Sequence, residues 1–193
     1  MEVIKRKLTT IYNKIDVTLT ITDLNTMLTH HKRAYYIGNT SDEPIYAVPH
    51  GIATDVPKSF MDLNIRATDE SGKELKITSI NFDKPYQKEF TTSFNKPVYK
   101  GEKGKSYTLE YDVEEPEHYF ENYFSTNCNK YVVSLIYPSE AGFKPVVYDV
   151  KVEKETKTKS KTQPTVKEVE DGFCKATWTR TNVLESQAFR LEW

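Results

Sequence analysis

Between Glu110 and Glu121 the chain places Glu110, Asp112, Glu114, Glu115, Glu117 and Glu121 with no lysine or arginine among them. The aromatic pairs Tyr119-Phe120 and Tyr123-Phe124 flank the same stretch. Carboxylates beside ring faces attract a cation both by charge and by the ring quadrupole. The candidate binding residues are therefore Glu114, Glu115, Glu117, His118 and Tyr119, gathered at a strand end. Their expected partner is a basic protein surface or a cationic ligand. His118, between Glu117 and Glu121, is the nucleus that an oxygen-and-nitrogen metal site would use, but no second histidine or cysteine stands at ligand spacing. A solvated acidic patch is expected there, with no metal and no cofactor.

Other chemistry finds less support. His30 and His31 are adjacent, and neighbours in a strand point to opposite faces, so they chelate poorly. Cys128 and Cys174 lack the glycine-rich or helix-start setting that lowers a thiol pKa, and free thiols are expected of both in a reducing compartment. No Gly-x-Ser-x-Gly elbow is present. The seven glycines are scattered through turns, and no helix follows Lys100-Gly101-Glu102-Lys103-Gly104-Lys105 to make it a phosphate cradle. Carboxylate pairs are too abundant to single out a hydrolytic pair. The expectation is that the chain is not an enzyme.

The elements that must position these residues are strands. Val17, Leu19 and Ile21 alternate with Thr18, Thr20 and Thr22, and Tyr107, Leu109, Tyr111 and Val113 alternate with Thr108, Glu110 and Asp112. Val146, Tyr148, Val150 and Val152 repeat the pattern, as do Phe189, Leu191 and Trp193. A period of two writes one face of a half-buried strand. Turn signals such as Asn39-Thr40-Ser41-Asp42-Glu43-Pro44 and Asp69-Glu70-Ser71-Gly72 separate the strands. The fold class is therefore all-β, an antiparallel sandwich or barrel. Residues 1–14 read as a leading arm and 15–193 as one sandwich domain, with 15–100 and 101–193 as two sandwiches the alternative. Strands are expected near 60–68 and 118–126, the latter turning through Asn127-Cys128-Asn129 into 130–137. A helix starting at Pro116 is the competing reading of that segment. The charged run Glu153–Lys161 reads as a solvated hairpin extension or loop.

Composition narrows the partners. With 27 Lys plus Arg against 28 Asp plus Glu, net charge is −1, so no global field draws in nucleic acid. His31-Lys32-Arg33-Ala34-Tyr35-Tyr36 is the nearest basic-aromatic stretch, and its rings read as strand core and surface instead. No run approaches the roughly 18 apolar residues that span a bilayer, so no membrane partner is expected. Met1-Glu2-Val3-Ile4-Lys5-Arg6-Lys7 has charges with no apolar region behind them, which predicts a cytoplasmic protein.

Arg33-Ala-Tyr-Tyr-Ile-Gly-Asn-Thr-Ser-Asp-Glu-Pro-Ile45 and Pro97-Val-Tyr-Lys-Gly-Glu-Lys-Gly-Lys-Ser-Tyr-Thr-Leu109 resemble the turn and strand chemistry of immunoglobulin-like β-sandwich modules of bacterial and archaeal proteins. The resemblance spans about residues 30–115, and Lys103-Gly104-Lys105 lengthens the usual turn. It implies a sandwich fold and a binding or spacer role, with no catalytic residues. Thirteen tyrosines suit a contact face. The leading functional expectation is a non-catalytic binding or adaptor module that recognises a protein partner. The alternatives are a small-molecule sensor with an aromatic-lined pocket and a structural or virion-type assembly subunit.

Overall fold

The segments with the clearest two-residue alternation are all strands in the computed structural model, which describes residues 10–154 and 156–193. In chain order these residues form β1 (Thr10–Asp23), β2 (Leu28–Asn39), β3 (Ile45–Ala53), β4 (Arg66–Asp69), β5 (Lys76–Lys84), β6 (Gln87–Val98) and β7 (Ser106–Glu114). There follow β8 (Tyr119–Tyr123), β9 (Cys128–Pro138), β10 (Val146–Lys151), β11 (Thr156–Lys159), β12 (Thr165–Val169), β13 (Phe173–Val183) and β14 (Ala188–Glu192). Among the described residues a seven-stranded sheet runs β12-β13-β9-β1-β2-β7-β4. A four-stranded sheet runs β11-β10-β14-β8 and a three-stranded sheet β3-β6-β5. The fold is all-β, with the sheets packed as a sandwich and no closed barrel. No helix among the described residues is long and apolar enough to cross a membrane.

β1 lies between β2, antiparallel to it, and β9, parallel to it. Ile15, Val17, Leu19 and Ile21 send one face of β1 into the core, which they share with the buried face of β7, Tyr107, Leu109, Tyr111 and Val113. Burying each such aliphatic or aromatic side chain contributes about 1.5–3 kcal/mol. The opposite face of β7 is polar, and there Glu110 pairs with Lys32 at 2.8 Å and Asp112 with His30 at 2.8 Å. Both cysteines are free thiols.

Three local expectations change, and the charged run keeps to its reading as a solvated hairpin extension. Residues 10–14, read as part of a leading arm, belong to β1; residues 1–9 lie outside the described ones. The pairing register shifts between Tyr12 and Lys14, and such a bulge breaks the two-residue period that the sequence reading relied on. The hairpin through Asn127-Cys128-Asn129 is absent. β8 pairs with β14 in one sheet, whereas β9 joins β1 and β13 in another. Asn127 is held between them, its carbonyl accepting from Tyr12 N–H at 3.2 Å and its side chain from Glu185 N–H at 2.9 Å. Over 60–68 only Arg66–Asp69 is strand, because a 3-10 turn at Met61–Leu63 ends in left-handed Asn64. Within the charged run, Thr156–Lys159 pairs with β10 while fully exposed. Strands from both sides of residue 100 share the seven-stranded sheet: β1, β2 and β4 with β7, β9, β12 and β13.

Candidate functional site

Antiparallel register between β2 and β7 sets His31 opposite Tyr111, Arg33 opposite Leu109 and Tyr35 opposite Tyr107. Alternation turns these three β2 side chains toward the interior, and they line a cavity of about 700 Å³. β3 adds His50, the segment after it adds Asp55, β8 adds Tyr119 and Phe120, and the end of β7 leads to Glu115. The cavity therefore lies where parts of all three sheets meet. Polar side chains gather in it beside the apolar core.

His31 is 2% exposed and Glu115 8%, so neither is open to bulk water. His31 Nδ1 lies 3.1 Å from the Tyr111 hydroxyl. Its Nε2 lies 3.1 Å from Glu115 Oε1, yet without hydrogen-bond alignment. Burial, then the neighbouring Arg33 and His30, holds the His31 pKa well below its usual value. Burial, then Asp55, pushes Glu115 up to about 8 against the pull of Arg33. Both shifts favour the uncharged forms over an ion pair, because desolvation outweighs a misaligned attraction. His50 is lowered to about 3, by burial and then Arg33. Asp55 is raised, mainly by burial, although the Glu117 main chain donates to it and Arg190 stands near.

Arg33 is the unusual group. Its guanidinium centre lies 5.3 Å from the Tyr111 ring and 5.0 Å from the Phe120 ring. Among the described residues no carboxylate comes within ion-pair distance of it. Its Nε is buried and unpartnered, as are His31 Nε2, His50 Nε2 and Asp55 Oδ2 on the same cavity. Buried polar atoms without partners are rare in folded proteins. Four lining one cavity mark a place built for polar contents. Arg190, by contrast, is satisfied by Glu121 at 2.8 Å and by the Tyr119 ring at 4.2 Å.

The five residues predicted as a binding site are not brought together. Glu115 and Tyr119 line the cavity. Glu114 points elsewhere and pairs with Lys58 at 2.7 Å. Glu117 is exposed and reaches Asp55 through its main chain alone. His118 adopts a left-handed φ of 55° and lays its ring edge-on against Phe143. The cause is the turn at Pro116, closed by His118 N–H donating to the Glu115 carbonyl at 2.9 Å, which reverses the direction in which successive side chains point. Arg33, His31, His50 and Asp55 were missed. Their one signal in the sequence is that His31, Arg33 and Tyr35 alternate in step with the strand, putting a polar trio where an apolar one belongs.

No protein-family model matches the chain. A search of curated proteins finds no match either. Solved structures do match. An M1 zinc metallopeptidase mutant from Deinococcus radiodurans, bound to a Tyr-Ser-Ala substrate, aligns with a TM-score of 0.58 at 12% identity, over 96% of this chain and 43% of that one. The M1 zinc metallopeptidase from the same organism without the mutation gives 0.57 at 12%, over 95% and 42%. A two-domain M1 zinc metallopeptidase mutant bound to L-tryptophan gives 0.57 at 11%, over 96% and 43%. The chain spans less than half the length of the peptidases it matches. Zinc sites need three or four converging donors, and among the described residues no three His, Cys, Asp or Glu side chains converge; these residues do not fit a zinc centre. The match corrects the functional expectation. A protein-recognising adaptor, with a ligand sensor and a virion-type subunit as alternatives, was read from motif absence and tyrosine content, both of which describe any aromatic-rich sandwich; the fold is instead one that recurs within longer zinc metallopeptidase chains.

Proposed function

We propose that this chain is the β domain of a peptidase-type protein: itself non-catalytic, working beside a zinc-bearing domain, and receiving the charged amino end of a short peptide in its cavity. The observation that carries this reading is the pair of cavity-lining carboxyls, buried Glu115 and half-buried Asp55, for both of which loss of water favours the neutral form. An ammonium group placed between them restores the charge balance that desolvation removes. Tyr119 and Phe120 supply apolar walls for the residue that follows. The fold likeness to peptidases described with a tripeptide and with amino acids supports the same class of ligand. The cationic partner expected from the sequence is then the peptide's own terminus. Two free thiols support a reducing compartment, the cytoplasm.

Calorimetric titration with Tyr-Ser-Ala and with its N-acetyl form tests this. Binding of the free peptide at least tenfold tighter than the acetylated one is expected, and Glu115→Gln with Asp55→Asn should erase the difference. Equal affinity of the two peptides for the unmodified protein overturns the reading. With added zinc the chain alone should hydrolyse neither peptide.

A further inference from the structure

We infer that Arg33 forms a second subsite in the same cavity, one that takes the free carboxylate of the ligand. This rests on the peptide reading above and adds what the ligand's other end must be: an unblocked carboxyl, as in a free amino acid or a very short peptide.

Several independent observations converge on Arg33. A guanidinium stays charged at any physiological pH, and removing such a charge from water is costly unless an anion or a set of acceptors replaces the hydration. Arg33 is half-buried, with its Nε shut off from water, and there the replacement is incomplete. Tyr35 and Tyr111 beside the group favour its charged form, and the Tyr111 and Phe120 rings lie 5.3 and 5.0 Å from it, but its Nε has no acceptor. The carboxyl best placed to neutralise it, Glu115, turns its Oε1 toward His31 instead, at 3.1 Å. His50 lines the same cavity with its Nε2 buried and free of partners, an additional donor for an anion if that nitrogen carries the proton. The built features are thus one fixed cation, donors around it, and space beside them.

The number of charges selects the anion. A monovalent carboxylate matches one guanidinium and can accept from its planar fork through two oxygens. A phosphate dianion would bring one negative charge more than Arg33 balances, and excess charge is costly in a cavity whose setting already favours the neutral forms of Asp55 and Glu115. A molecule with an ammonium at one end and a carboxylate at the other uses both halves of the site. A cavity of about 700 Å³ admits a ligand of one to three residues, within the usual range for small-molecule sites. Longer peptides would have to leave one end unsatisfied.

The test compares ligand ends and protein groups separately. Tyr-Ser-Ala, its C-terminal amide and its N-acetyl form are titrated against the unmodified protein, Arg33→Gln and Arg33→Lys. Thermal shifts are recorded in parallel with 3-(4-hydroxyphenyl)propionate and with inorganic phosphate. Amidation should weaken binding to the unmodified protein at least tenfold, and that penalty should vanish in Arg33→Gln. Arg33→Lys, which keeps the charge but loses the fork, should retain a reduced penalty. The comparison of acid with amide on the unmodified protein stands even where a variant fails to fold. Equal binding of acid and amide overturns the Arg33 subsite, and a surviving acetylation penalty would then leave the amino-end reading intact. If no peptide binds but the phenylpropionate raises the melting temperature in an Arg33-dependent way, the carboxylate subsite holds and the peptide reading fails. A shift by phosphate alone overturns the choice of carboxylate, and no shift by any of these probes overturns both.

Discussion

His31 Nε2 and Glu115 Oε1 stand 3.1 Å apart in the interior, one from the first half of β2 and the other just beyond the end of β7, and burial favours the neutral form of each. The two groups oppose each other in the pH dependence of stability. Glu115 has its pKa raised from an ordinary 4.5 to about 8, so between those values the folded protein keeps a proton that the unfolded chain releases. Stability contributed by Glu115 is therefore complete below pH 4.5 and is lost as pH rises toward 8. His31, lowered well below 6.5, and His50, lowered to about 3, act the other way, since the unfolded chain gains their protons first as pH falls below 6.5.

Above pH 6.5, of these three groups, only Glu115 still titrates differently in the two states. Chemical denaturation at pH 6.5 and pH 8 should show a loss of at most ~2 kcal/mol, since one group shifts stability by no more than 1.36 kcal/mol per pH unit. Glu115→Gln, which keeps the shape and removes the titration, should flatten that slope. A slope unchanged by the substitution would assign it to other groups.

Lys88 is fully buried, an uncommon place for a lysine. Its ammonium donates to the Lys84 carbonyl and lies 3.3 Å from Asp83 Oδ1, closing the turn between β5 and β6. Lys88→Ala both opens a cavity and strips the turn of its donor, for a loss of about 2–3 kcal/mol. Lys88→Met keeps the volume and should recover part of that loss. Urea midpoints of the two variants separate packing from hydrogen bonding, and a Met variant as stable as the unmodified protein would show that the ammonium adds nothing.

Glu114 lies outside the cavity, and its ion pair with Lys58 is half-exposed, with side chains 30% and 27% accessible. Exposed pairs contribute little. Glu114→Ala should cost less than about 1 kcal/mol and leave peptide affinity unchanged, although the residue was among those predicted from sequence to bind. A tenfold loss of affinity would return Glu114 to the site.

What could be read from the sequence was what depends on near neighbours. The alternation of Val17, Leu19 and Ile21 needs only the next residue but one, and β1 follows it until the bulge beside Asn13 shifts the phase. The alternation through Phe124, Thr126 and Cys128 is just as regular, and all three are buried. It crosses from one sheet to another, and no local signal distinguishes a crossing from a hairpin. The cavity was less legible still. Glu115 and Tyr119 stood out because acids and aromatics cluster in one stretch. Arg33 and Asp55 reach the same space through the β2–β7 register and the segment after β3, and pairing of distant strands leaves no mark in either local stretch.

The C-terminal strand ties the four-stranded sheet together. β14 lies between β10 and β8, and its Ala188, Phe189 and Leu191 are buried. Phe189 packs against Trp178 with ring centroids 5.1 Å apart and against Phe124 at 6.0 Å. β8, which carries Tyr119 and Phe120 to the cavity, is hydrogen-bonded within its sheet, among the described residues, to β14 alone. Removing residues 187–193 should therefore release β8 and destroy ligand binding along with stability. Phe189→Ala should cost about 3–5 kcal/mol, while Arg190→Lys, on the half-buried face of the same strand, should cost less than about 1 kcal/mol. Thermal melts of the three variants order these effects. A truncated protein that melts at the temperature of the full chain would mean that β8 holds its place without β14, and that the sheet does not depend on its last strand.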